Sequence, residues 1–323
     1  MNMENGKNTG SRKNGLGAGN GRNMFDPRPG KRPARFVGRD DVLRDIAAAL
    51  EDREENENIM IFTGISGSGK TSVLAEARAY ANGQGNVYFL DDVDKEKSEH
   101  RDFLLGYNCA AKQGETPMLL MAGLPHAVDE LIKDEEMAFL RKARRVPMRS
   151  VSEEEIFALY AEAFAGGESG DSGEDGGCPA LKALRRAAEA ASGYPYLIQL
   201  IGYYLSKEGK TLNDKVVDKA VFLAKIELYK NIHEPLVWDG SSKDRAFLWA
   251  MAQDKGASEF GEIARRMGVS AGYASKYRER LINAGLIFSS AYGELAFTLP
   301  YMREYIEKEY IERHGGEGGK RRL

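Results

Sequence analysis

Gly64, Gly69, Lys70 and Thr71 stand at the spacing G-x-x-x-x-G-K-[ST], within the run Gly64-Ile65-Ser66-Gly67-Ser68-Gly69-Lys70-Thr71. This combination suits polyphosphate. Glycines let the main chain wrap closely around an anion. The N–H groups from Ser66 to Ser72, aligned with a helix N-terminus, supply fixed positive potential. Lys70 is then placed to reach β- and γ-phosphates, and the Thr71 hydroxyl to sit on Mg²⁺. A second set of candidates lies downstream, where the apolar run Val87-Tyr88-Phe89-Leu90 ends in Asp91-Asp92.

These residues need elements to hold them. The apolar run Ile59 to Phe62 predicts a buried strand before the glycine loop, and Ser72 to Tyr80 predicts a helix after it. Strand, glycine loop and helix are the context the motif requires. Val87 to Leu90 predicts a second strand, similar to the one that carries metal-ordering carboxylates in P-loop ATPases. Asp91 would hold the Mg²⁺ shell through water. Asp92 sits where such enzymes place a glutamate to polarise the attacking water, and aspartate is one methylene shorter. A strand end with solvated acids is the alternative. Only 21 residues separate Lys70 from Asp91, which leaves no room for the strand and helix that usually intervene. The expected sheet is therefore narrow, with a new exposed edge. Met118 to Pro125 predicts a third strand, ending in Ala122-Gly123 where related ATPases place a polar γ-phosphate sensor. Arg141, Arg144 and Arg145 could reach a neighbouring subunit's nucleotide or form a solvated, DNA-facing surface.

Composition bounds the rest. A chain of 323 residues with 42% hydrophobic content has room for two or three domains. A net charge of −3 excludes a uniformly basic coat but not a local basic patch. Two cysteines, Cys109 and Cys178, imply no disulfide framework and point to a reducing cytoplasm. No apolar run is long enough to span a bilayer, and the N-terminus lacks a signal-peptide core.

The expected order is a basic disordered tail (1–34), an α/β P-loop ATPase core with a shortened parallel sheet (35–165), and a flexible acidic loop (166–178). An α-helical lid (179–238), a winged helix (239–305) and a C-terminal helix end and tail (306–323) follow. Residues 1–35 carry eight Lys/Arg against two acids. Such a run most often stays solvated.

The last unit rests on its own pattern. Asp244 to Ala252, Phe260 to Met267 and Ala271 to Ala284 predict three helices, with Gly268-Val269-Ser270 as the turn between the second and third. Gly285 to Phe288 and Glu294 to Leu299 predict a hairpin around Tyr292-Gly293. This order reads as a winged helix. The third helix turns Tyr273, Ser275, Lys276, Arg278 and Arg280 outward, a set suited to the phosphates and base edges of double-stranded DNA. Residues 241–300 carry eight Lys/Arg against six acids, so an intramolecular lid is the alternative.

Phe36-Val37-Gly38-Arg39 resembles the FxGR entry of AAA-type ATPases of the origin-recognition and STAND lineages, and Gly193-Tyr194-Pro195-Tyr196 resembles the GxP signature of STAND lids. The order of lead-in (Met24 to Pro33), FxGR, phosphate loop, acidic strand, AGLP, GYPY and winged helix is similar to that of prokaryotic Orc-like AAA proteins. The resemblance covers about residues 24–305. It implies ATP and Mg²⁺ as ligands, Gly38 and Arg39 on the adenine side, and Pro195 near the nucleotide, although a tight turn would also explain Pro195. It implies an ATPase or ATP-dependent switch associated with DNA, with assembly into a homo-oligomer left open. The departures, Asp92 for glutamate and the short segment before Asp91, favour a non-hydrolysing regulator or scaffold as the second reading.

Overall fold

The computed structural model describes residues 24–28, 30–51, 58–82, 85–94, 97–115, 117–164, 179–208 and 212–314. Its first half alternates helix and strand. The elements are α1 (Asp40–Glu51), β1 (Ile59–Thr63), α2 (Lys70–Tyr80), β2 (Val87–Leu90), α3 (Ser98–Lys112), β3 (Met118–Gly123) and α4 (Pro125–Lys133). A 3₁₀ segment (Glu135–Lys142), β4 (Arg144–Pro147) and α5 (Glu153–Phe164) follow. The four strands form one parallel sheet in the order β2-β3-β1-β4.

Period-two alternation sorts the strand side chains between two cores. Met60, Phe62, Met118, Leu120 and Ala122 pack with α1 and α2 on one face. Ile61, Leu119 and Met121 pack with α3, α4 and the 3₁₀ segment on the other. All six residues of β3 are buried, as a strand covered on both faces requires. This is an α/β P-loop NTPase domain, and its sheet is narrow: β2 pairs only with β3 and forms an edge.

The second half is helical and then mixed. It contains α6 (Pro179–Ala190), α7 (Pro195–Lys207), α8 (Asp214–Leu228), a π-helical turn (Tyr229–His233), α9 (Glu234–Trp238) and α10 (Ser242–Ala252). Then come β5 (Ser258–Glu259), α11 (Phe260–Arg266), α12 (Ala271–Asn283), β6 (Ile287–Ala291), β7 (Glu294–Phe297) and α13 (Met302–His314). The last three strands form an antiparallel sheet, β5-β7-β6. Ser270 caps α12 by accepting from the Tyr273 N–H at 3.2 Å. Ser241 and Asp244 form a reciprocal capping box on α10.

One continuous core runs from α5 through the helical region into this last unit. The Tyr301 hydroxyl reinforces it by donating to the Ala190 carbonyl at 2.7 Å. Residues 24–34, placed with the basic tail in the sequence reading, pack here in part: Phe25 is 3% exposed, stacks on Phe164 and meets Tyr160 edge-on. The acidic loop expected at 166–178 lies outside the described residues, as do residues 1–23 and 315–323. Among the described residues, no helix is long and apolar enough to cross a membrane.

Candidate functional site

The glycine loop leaves the C-terminal end of β1, between β3 and β4, where a parallel sheet opens its crevice. Gly67 and Gly69 both adopt left-handed backbone, at φ 72° and 92°. Gly67 has a second reason to be glycine. A Cβ there would lie 2.1 Å from the Tyr194 hydroxyl. Ser68 closes the loop, its N–H donating to the Ile65 carbonyl at 3.2 Å. The Ser68 hydroxyl is buried with no hydrogen-bond partner, a polar group the fold leaves unsatisfied inside the loop.

Lys70 opens α2 and turns its ammonium back into the loop, donating to the carbonyls of Gly64 (2.8 Å) and Ile65 (2.9 Å). Burial pulls its pKa below the ordinary lysine value, opposed by the charges of Asp91 and Asp92. Asp91, Lys70, Thr71 and Ser72 border the same cavity of about 510 Å³, a volume suited to a cofactor-sized ligand. The hydroxyl of Thr71 and the carboxylate of Asp91 are both hard oxygen donors, which suits Mg²⁺.

Asp92 is arranged differently from the expectation. It adopts φ 51°, its side chain is 81% exposed, and its carboxylate accepts from Lys97 Nζ at 3.1 Å. It nonetheless borders the cavity together with Asp91. The end of β3 is closed by packing: a Cβ at Gly123 would meet Val93 Cγ2 at 2.6 Å. No polar sensor stands there.

The two signatures flanking the loop act on it from outside. Arg39 is 5% exposed, and its guanidinium donates to the carbonyls of Gly38 (2.7 Å), Arg149 (2.7 Å) and Ser68 (3.4 Å). Its role in the fold is to tie the loop to the β4–α5 connection. Burial lowers its pKa, opposed by Asp41 and Glu155. Gly38 packs against Val151 and Glu155. From the helical region, the Tyr194 hydroxyl donates to the Ser66 carbonyl at 2.6 Å. Burial raises the phenol's pKa, which keeps it protonated and able to donate. Pro195 follows as the first residue of α7, 3.9 Å from where a Gly69 Cβ would sit. The N–H of Val151 donates to Gly193 at 2.9 Å, so Arg39 and Tyr194 hold the loop from two sides through one shared connection.

Sequence reasoning missed three contributors. Tyr194 was visible only as part of GYPY, with nothing to favour it over Pro195. The turn after α12 borders the same cavity as the loop, and a Cβ at Gly285 would lie 3.7 Å from Ile65 Cγ2. The lead-in lines the cavity with Asp26, Arg28, Gly30 and Lys31.

The residues expected to face DNA divide. Tyr273 and Lys276 are exposed on the N-terminal half of α12. Ser275 is half-buried and accepts from Arg278, whose guanidinium stacks 4.7 Å from the Phe260 ring. Arg280 pairs with Asp244, a carboxylate only 3% exposed, at 2.9 Å, and also donates to Ser241. It braces α12 against α10. Arg141, Arg144 and Arg145 are likewise engaged within the chain, with the Ile132 carbonyl, Asp45 and Asp129.

A family described as a domain of unknown function (DUF8462) matches residues 230–306. No curated protein matches the sequence. Among solved structures, the Aeropyrum pernix ORC2 protein in its ADPNP-ADP complexes aligns with a TM-score of 0.54 at 12% identity, covering 90% of this chain and 98% of that one. The Aeropyrum pernix ORC1 protein in complex with DNA aligns at 0.44 and 13% identity, covering 87% and 94%. Cdc6p from Pyrobaculum aerophilum aligns at 0.39 and 16% identity, covering 89% and 97%. The chain has the fold of an Orc-like AAA P-loop ATPase, a likeness carried by the first of these alignments.

Proposed function

We propose that the protein binds Mg·ATP at the glycine loop and acts as a DNA-associated switch that hydrolyses ATP slowly. One observation carries this reading. The loop, Pro195 and Tyr196 at the start of α7, and Ala284 and Gly285 after α12 line one cavity with Lys70, so a ligand there would border all three. The fold likeness to an ADPNP-ADP complex supports a nucleotide as that ligand.

In this mechanism Lys70 exchanges the Gly64 and Ile65 carbonyls for phosphate oxygens, and the loop amides take the remaining charge. Thr71 and Asp91 would hold Mg²⁺, which supplies charge neutralisation on the polyphosphate when bound. Tyr194 fixes the loop against the lid, so phosphate entry favours one arrangement of lid and C-terminal unit. Hydrolysis transfers the γ-phosphoryl group to water. With Asp92 held by Lys97, water is oriented weakly and turnover is slow. We read α10 to α12 with the β5-β7-β6 sheet as a winged helix. Its DNA face would be Tyr273, Lys276 and the hairpin tip at Tyr292, all exposed.

The placement of Asp92 and the packed end of β3 favour a second reading, a nucleotide-binding regulator that does not hydrolyse. Steady-state phosphate release with and without duplex DNA separates the two. The switch predicts slow release abolished by Lys70→Ala and by Asp91→Ala. Tight ATP binding with no release under any condition would assign the regulator.

A further inference from the structure

The lead-in crosses from the lid to the helix that follows the glycine loop. At one end Phe25 fills the space beside Gly202 on α7, where a Cβ would lie 2.3 Å from its ring. The Asp26 N–H donates to Gln199 Oε1 at 3.0 Å on the same helix. A turn follows, with the Lys31 N–H donating to Arg28 at 3.2 Å and Gly30 at φ 70°. At the other end the Ser72 hydroxyl donates to the Lys31 carbonyl at 3.3 Å, and Arg32 donates to Glu76, a carboxylate only 4% exposed, at 2.8 Å. Gly30 packs beside Thr71 Cγ2. Both ends are thus fixed, and the segment between them forms one wall of the cavity.

The cations on this strap are not equivalent. Arg28 is held by Asp26 at 2.8 Å, Arg32 by Glu76 and Arg35 by Glu162. Lys31 has no carboxylate in salt-bridge contact among the described residues. Its charge only assists Arg28 in holding the Asp26 carboxyl at about 2. It is exposed on the cavity wall beside Thr71 and Ser72. With its backbone anchored beside a loop rich in N–H donors and, among the described residues, no carboxylate on its side chain, Lys31 is a cation free to take an anionic partner.

We propose that Lys31 is a second lysine of the nucleotide site, binding the phosphate chain from the side opposite Lys70. This deepens the reading of the pocket as a nucleotide site and rests on it. Lys31 borders the Thr71–Ser72 side of the loop, whereas Lys70 points to the Gly64–Ile65 side. Lys31 therefore contacts the part of the phosphate chain that di- and triphosphates share. It contributes equally to both, and in the free protein its charge is open to salt screening.

Calorimetric titration of the full chain with Mg·ADP and with a slowly hydrolysed Mg·ATP analogue, at low and high salt, tests this. Lys31→Ala is expected to weaken both ligands by about tenfold, to flatten the salt dependence of binding and to leave the thermal melt unchanged. Lys31→Arg is expected to restore both affinities to within about threefold. Lys31→Ala affinities within twofold of the wild type, with uptake abolished by Lys70→Ala, would overturn the assignment and leave the nucleotide site standing. A wild-type chain that takes up neither ligand would overturn both.

Discussion

Arg280 and Lys276 lie one turn apart on α12 and have opposite fates. Arg280, itself 47% exposed, bonds to a buried carboxylate that also caps α10. Removing it leaves Asp244 partly uncompensated, which costs more than losing an exposed charge. We expect Arg280→Ala to destabilise the chain by about 2 kcal/mol, read by denaturant unfolding. Lys276→Ala, on an exposed position, should leave unfolding unchanged within about 0.5 kcal/mol. If this unit binds duplex DNA, Lys276→Ala lowers affinity and its salt dependence. Equal unfolding midpoints for the two variants would contradict the assignment of Arg280 as a brace.

At the scale of elements, the π-helical turn that links α8 to α9 contains His233, which is fully buried between the rings of Tyr229 and Tyr305. Burial drives its pKa down to about 3, opposed by the Pro300 carbonyl. The folded state therefore holds His233 neutral while the unfolded chain takes up a proton below about 6.5. Stability is complete above that pH and declines as pH falls toward 3. Between pH 7 and pH 5 the loss is about 2 kcal/mol from this one group. His233→Phe should flatten unfolding free energy against pH over that interval. Parallel profiles for the two proteins would show that His233 does not set the slope.

Local pattern made much of this architecture legible. Ile59 to Phe62 and Met118 to Gly123 announced buried strands because apolar runs of that length leave few alternatives. The glycine loop was legible because its residue types are fixed by sterics and charge. The short segment before Asp91 correctly implied a narrow sheet with an exposed edge. What stayed hidden depends on contacts distant in sequence. Arg280 is exposed as read, but its bond to Asp244 was not legible because that partner lies 36 residues away on another helix. The lead-in read as a tail because Phe25 is the only large apolar residue between Met24 and Phe36, and Gly202, which makes room for it, is far along the chain. The left-handed backbone at Asp92 and its contact with Lys97 were not legible, because spacing shows only position along a strand.

In the whole molecule, the glycine loop is the point where three units meet. Arg39 ties it to the sheet domain and Tyr194 to the start of α7, and Ile65 shares the cavity wall with the turn after α12. A ligand at Lys70 can bias all three only if it binds there. The most direct test is calorimetric titration of the full chain with Mg·ATP beside the same titration of Lys70→Ala. Saturable one-to-one uptake by the wild type, lost in the variant while its thermal melt is kept, is the predicted result. Folded wild-type protein that releases no heat of binding, or a variant that binds as tightly, would contradict it.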